Sequence, residues 1–105
     1  MRNISKTRPK HLSAKQIIER TARHFQITVE DILSPKRDKD IVVPRQIAMY
    51  LLRNELNLSF PKIARELGRK DHTTAIHSVL KIEQEAKLDA SLRMALTEIK
   101  EQLYV

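Results

Sequence analysis

Asp71, His72, Thr73 and Thr74 stand side by side directly after Gly68-Arg69-Lys70, so a carboxylate, an imidazole and two hydroxyls fall within one short stretch. Two chemistries compete for such a cluster. A hydrolase uses these group types as acid, base and nucleophile, but consecutive residues of a helix point in different directions and cannot assemble a relay. Reading DNA bases asks for the opposite arrangement, short polar side chains fanned across the first turn of one helix. Asp71 can accept from a cytosine amino group or act as a plain helix cap. His72 can donate or accept at a base edge, and Thr73 brings a hydroxyl together with a methyl that packs on thymine. Thr74, His77 and Lys81 follow at positions suited to phosphate oxygens. His72 and His77 lie about 140° apart on a helix and make no chelating pair. His11 and His24 are isolated and read as solvated surface residues, so no metal site is expected.

The elements around this cluster predict how it is held. Ser59 caps a short helix with Pro61 in its first turn and Ile63, Ala64 and Leu67 facing inward; Gly68 ends it in the left-handed conformation that only glycine adopts without a steric penalty. A longer helix then opens at Asp71, with Ile76, Val79, Leu80 and Ile82 as its apolar stripe. A capped short helix, a tight turn and a longer helix with a polar first turn make the outline of a helix-turn-helix.

Upstream, Ser13 and Gln16 form a capping-box pattern before a helix that buries Ile17, Ile18, Ala22 and Phe25. Thr28 caps a short helix burying Val29, Ile32 and Leu33, which Pro35 halts. Residues 34–43 read as a charged loop, and Pro44 as the first residue of a central helix carrying Ile47, Ala48, Leu51 and Leu52. Arg37 in that loop can enter a minor groove beside the groove-reading helix, or be merely solvated. Arg45, Arg53 and Lys62 punctuate the polar faces that follow, within reach of phosphates. Leu92, Leu96, Ile99 and Leu103 close the core from a last amphipathic helix. Residues 1–12 are basic and aperiodic and read as a linker or arm, with one domain over 13–105.

Composition sets the bounds. With 105 residues, a 41% hydrophobic fraction, one glycine and four prolines, the chain suits one all-α core and lacks the turn-formers of a sandwich or barrel. A net charge of +7 and a pI near 10.0 favour a polyanionic partner, and the acids collect in the last quarter. The absence of cysteine, of a long apolar run and of a signal-peptide pattern fits a cytoplasmic, nucleoid-associated protein with no membrane span.

The stretch Gly68-Arg69-Lys70-Asp71-His72-Thr73-Thr74-Ala75-Ile76-His77 resembles the signature of the C-terminal DNA-binding domain of the bacterial replication initiators of the DnaA family. Pro44-Arg45-Gln46-Ile47-Ala48-Met49 is similar to that family's Pro-Arg-Gln-X-Ala-Met helix, and Lys81-Ile82 follows at the matching distance. The resemblance covers about residues 13–103. It implies a compact, Trp-repressor-like bundle of about six helices containing a helix-turn-helix. The implied partner is double-stranded DNA, bound by a monomer at DnaA boxes, short asymmetric nine-base-pair sites of the replication origin. Asp71, His72 and Thr73 fall on major-groove base-reading positions, Arg37 on a minor-groove arginine, and Pro61 on a residue that packs against thymine methyls. Arg45, Gln46, Arg53, Thr74 and His77 fall on backbone-contacting positions, with Lys39, Lys70 and Lys81 as further cations of the same kind. ATP and magnesium belong to another module of that family. No Gly-x-x-x-x-Gly-Lys-Ser/Thr loop occurs here, so neither a cofactor nor ATP hydrolysis is expected of this chain.

Two departures from the pattern carry expectations. Lys70 replaces the usual arginine and loses its planar fork. Asp38 and Asp40 flank the basic loop and lower its potential. Weaker affinity with unaltered specificity follows. The competing readings are a dimeric repressor on a palindrome and a protein-docking module using Leu92, Leu96 and Leu103.

Overall fold

Ser13 and Gln16 satisfy one another's backbone as their spacing requires. The Ser13 hydroxyl accepts from the Gln16 N–H at 3.3 Å, and the Gln16 side chain accepts from the Ser13 N–H at 2.9 Å. The reciprocal pair starts α1 (Ala14–His24) in a computed structural model that describes residues 12–104. The basic arm read over residues 1–12 lies outside the described residues except for Leu12, which packs half-buried against the core. Among the described residues the chain is all-helical, continuing through α2 (Val29–Leu33), α3 (Lys39–Leu56), α4 (Phe60–Glu66), α5 (Thr73–Leu88) and α6 (Ala90–Leu103). Thr28 and Asp31 repeat the reciprocal cap at α2, with bonds of 3.0 and 3.1 Å.

Helix α3 begins earlier than proline placement predicts. Asp38 is its N-cap residue, and the Asp38 carbonyl takes the N–H groups of Ile41 and Val42 at 2.8 Å each. The charged loop therefore shrinks to residues 34–38, and Pro44 lies inside the helix, where proline usually costs about 3 kcal/mol. Two features offset that cost here. The bond Pro44 cannot make would go to the carbonyl of Asp40, an exposed residue that water can serve. Ile41 and Pro44 are also buried in register with Ala48, so the extra turn joins the apolar stripe.

Helix α3 runs through the middle, against α1, α2, α4 and α5, while α6 closes the bundle across α1 and α5. Ile17, Ile32, Ile47, Leu51, Leu52, Ile63, Leu67, Ile82 and Ile99 are sealed between them. Leu96 and Leu103 belong to this core, with Leu92 packed at its margin, which removes the apolar surface that a docking role for these residues needs. Two leucines read as core lie outside it: Leu33 at the end of α2 is 39% exposed and Leu80 on α5 is 48% exposed. The buried arc of α5 is instead Ala75, Ser78, Val79 and Ile82, and Leu80 sits about 100° beyond Val79. His24, read as a solvated residue, is half-buried, edge-on to Phe25 and 3.9 Å from Glu98 of α6.

Gly68 ends α4 as its position predicts. With φ at +72° it lets its own N–H reach the Arg65 carbonyl (3.0 Å) and the Arg69 N–H reach the Ala64 carbonyl (2.8 Å), the paired bonds of a Schellman motif. A Cβ there would meet nothing within 4 Å. Gly68→Ala therefore carries only the conformational penalty, and urea denaturation is expected to show a loss of about 1 kcal/mol.

Candidate nucleic-acid interface

The turn after Gly68 delivers the polar cluster to the start of α5. Asp71 precedes the helix and its Oδ1 accepts from the Thr73 N–H at 2.9 Å, while His72 occupies the N-cap position without a side-chain bond. The capping predicted for Asp71 is thus realised from one residue further out. That N–H, then the Thr73 hydroxyl, hold the Asp71 carboxyl below the ordinary aspartate value of 3.8, with the charges of His72 and His77 adding in the same direction. A depressed folded value means that the contribution is present above 3.8 and is lost as pH falls through the lower folded value. The Thr73 amide resonance is expected to titrate in that acidic window; a Thr73 amide that does not move below pH 3.8 would refute the cap.

Along α5, Thr73, His77 and Lys81 recur every four residues and form one exposed row, with Thr74 on its flank. His72, Asp71 and Lys70 extend that row off the end of the helix, all exposed. Behind it, Ala75, Ser78, Val79 and Ile82 fix α5 on α3 and α4, so the polar row stands on a rigid element. Pro61 is exposed in the first turn of α4, where Ser59 accepts from the Lys62 N–H at 3.3 Å. The helix-turn-helix read from the sequence is present as α4, turn and α5.

The other cations divide into two groups. Lys36, Arg37 and Lys39 are exposed in the short loop and at the head of α3; Lys36 pairs with Asp31 at 3.1 Å. Arg45 belongs inside. It is 6% exposed, and its Nε donates to the Ile32 carbonyl (2.9 Å) while its Nη2 donates to the carbonyls of Ser34 (2.8 Å) and Asp31 (3.4 Å). Burial, then the neighbouring charge of Arg69, lower its pKa from the ordinary guanidinium value. Arg45, expected at a phosphate, is engaged here with the protein's own backbone: Pro35 stops α2 and leaves its last carbonyls without helical partners, and Arg45 is one of the donors that supply them. Arg53 is half-buried, with Nη1 on the Leu58 carbonyl at 2.8 Å and its guanidinium 4.5 Å from the Phe60 ring centre, where it braces the α3–α4 turn. Gln46 is half-buried, with its amide oxygen lacking a hydrogen-bond partner.

Arg69 is the residue that sequence reasoning passed over. Half-buried in the turn, it bonds to carbonyls at the end of α2, more than thirty residues upstream, an approach with no signature in local spacing. Among the described residues no group of His, Cys, Asp and Glu can hold a metal ion, and no helix is long and apolar enough to cross a membrane.

This arrangement has known counterparts. The family described as the bacterial dnaA protein helix-turn-helix matches residues 14–82, a span that runs from α1 through the exposed row of α5. The chain belongs to that family. Its family relatives include the chromosomal replication initiator protein DnaA of Thermomicrobium roseum, 40% identical over 93 residues, which make up 89% of this chain and 20% of the relative. The DnaA of Lacticaseibacillus casei is 46% identical over 89 residues, 85% of this chain and 20% of that protein. Two solved structures share the fold. The crystal structure of a DNA replication initiation factor superposes with a TM-score of 0.77 at 40% identity, over 87% of this chain and 28% of that one. The AMPPCP-bound DnaA from Aquifex aeolicus gives 0.74 at 38% identity, over the same shares. The chain spans about a fifth of the length of these curated relatives and matches their helix-turn-helix part.

Proposed function

We propose that the chain binds double-stranded DNA at the DnaA boxes of a bacterial replication origin, acting as the DNA-binding domain of an initiator. The observation that carries this reading is the exposed row Asp71, His72, Thr73, His77 and Lys81 at the head of a helix held by a helix-turn-helix within this family. In this reading Asp71, His72 and Thr73 meet base edges in the major groove and Pro61 packs on thymine methyls. Lys70, Thr74, His77 and Lys81 meet the flanking phosphates, joined by Lys39 from α3. Arg37 enters the adjacent minor groove from the loop that precedes α3. Binding is by a monomer to an asymmetric site and needs no cofactor. Lys70 delivers charge without a bidentate fork, which lowers affinity and leaves sequence preference intact.

The test is a fluorescence-anisotropy titration of the whole chain against a duplex with one DnaA box and a scrambled duplex of equal composition. Preference for the box supports the proposal, and equal affinities refute it. Two chains per single box would favour the dimeric repressor reading instead. His72→Ala is expected to lose about 1 to 3 kcal/mol on the box and little on the scrambled duplex, the cost of one good base contact. Lys81→Ala should weaken both alike; if the two variants lose the same on both duplexes, the assignment of His72 to a base fails.

A further inference from the structure

The two arginines beside α2 converge on one short piece of backbone. Arg69, in the turn between α4 and α5, donates from Nη1 to the Leu33 carbonyl (2.9 Å) and to the Leu67 carbonyl of its own turn (3.0 Å), and from Nη2 to the Ser34 carbonyl (2.8 Å). Arg45 donates to the same Ser34 carbonyl at 2.8 Å. Among the described residues neither guanidinium has a carboxylate within ion-pairing distance. Arg45 is buried and serves the core, but Arg69 is half-exposed, at the edge of the polar row, where an arginine free to choose would point into water. Its fork is committed instead to carbonyls on both sides of a gap, the use for which a planar guanidinium is suited and an ammonium is not.

The place of that gap gives the clamp its consequence. Ser34 opens the loop that carries Arg37 three residues later, and Arg69 is followed at once by Lys70, Asp71 and His72. We propose that Arg69 is a positioning residue: it ties the start of the basic loop to the helix-turn-helix turn and so fixes the span between Arg37 and the first turn of α5. The proposal rests on the reading of that loop as a DNA contact. Arg37 is exposed on the short segment between Ser34 and Asp38, the N-cap residue of α3, so the angle at which it leaves the surface depends on how both of those ends are held. A base-contacting group displaced by about an ångström loses most of its hydrogen-bond energy.

The test compares Arg69→Gln, Arg69→Lys, Arg37→Ala and the Arg37→Ala/Arg69→Gln pair in the whole chain. Readouts are anisotropy against the single-box duplex and amide NMR order parameters of residues 36–38 in the free protein. Arg69→Gln and Arg37→Ala are each expected to weaken box binding about tenfold, the scale of one base-edge contact. The double variant should bind no worse than Arg37→Ala alone, because a clamp has nothing left to aim. Arg69→Lys should behave like Arg69→Gln, since it keeps the charge and loses the fork. Binding rescued by Arg69→Lys, or additive losses in the double variant, would make Arg69 a phosphate contact and overturn the proposal. In the free protein Arg69→Gln should lower the amide order parameters at 36–38 from about 0.85 toward 0.6. Unchanged order there overturns the clamp without any DNA present. Arg37→Ala binding like the parent chain overturns the loop's DNA role, and the proposal with it, in a variant where Arg69 is intact. Arg69 lies outside the core, so each variant should remain folded, which circular dichroism checks.

Discussion

At about physiological salt the chain is expected to hold a single-box duplex at least ~10³-fold more tightly than a scrambled one, the lower end for specific binders. Raising salt fourfold, from about 50 to 200 mM, should lower both affinities by about a hundredfold and leave their ratio nearly unchanged. The two quantities separate because they come from largely different groups. Discrimination belongs to Asp71, His72 and Thr73, whose bonds to base edges displace few counterions, and to Arg37, whose charge in the minor groove lies between two phosphate rows and so also enters the salt response. The salt response belongs to cations near phosphates, each worth a slope of about −0.9 in log affinity against log salt. Arg37, Lys39, Lys70 and Lys81 are the exposed cations assigned to DNA above, which sets the slope between about −3 and −4. Had Arg45 and Arg53 joined them, as family position implies, the slope would exceed about −5. Anisotropy titrations at four or five salt concentrations distinguish these values. A slope steeper than −5 would return both arginines to the phosphates, and a ratio that collapses with salt would mean that the preference is electrostatic.

The parts of this fold legible in the sequence are those decided within four residues. Ser13 with Gln16, Thr28, Ser59 and Gly68 each set a helix end through bonds to their own neighbours, and each acts as spacing predicts. The start of α3 was not legible by the same rule. Proline prefers the first turn because its missing N–H has no helical partner there, yet at Pro44 the partner lost is the carbonyl of Asp40, an exposed residue that water can serve. Leu80 failed for another reason: a leucine three or four positions from several apolar residues fits a stripe on either side, and packing against α3 and α4 decided which arc was buried.

The candidate site divides along the same line. Asp71 to Thr74 are contiguous and close the turn they sit in, so their exposure at a helix head follows from local capping. The roles of Arg45 and Arg69 depend on carbonyls eleven to thirty-six residues away, exposed as hydrogen-bond partners by the proline that stops α2. One signal was available: a Ser-Pro that truncates a five-residue helix leaves acceptors that some donor must meet. Spacing does not say which donor, and the family pattern places Arg45 in a conserved-looking block without distinguishing a bond to DNA from a bond to the protein.

Arg45→Ala is accordingly expected to destabilise the chain by about 3 kcal/mol, read as a lower urea midpoint at unchanged slope. The guanidinium supplies three backbone carbonyls in a site that is almost closed to water. Arg69 and the Ser34 amide and hydroxyl share two of them, so Ile32 loses its side-chain donor outright while Ser34 and Asp31 keep a partner. One orphaned carbonyl costs about 1 to 3 kcal/mol, and the emptied volume beneath α2 adds to it. Lys39→Ala, at the head of the same helix but exposed, should stay within about 0.5 kcal/mol of the parent. The contrast with DNA affinity makes the assignment decisive. If Arg45 met phosphate, its loss would leave stability intact and flatten the salt slope by about 0.9. As an internal donor it does the reverse: the midpoint falls, and in conditions where Arg45→Ala remains folded its salt slope equals that of the parent chain.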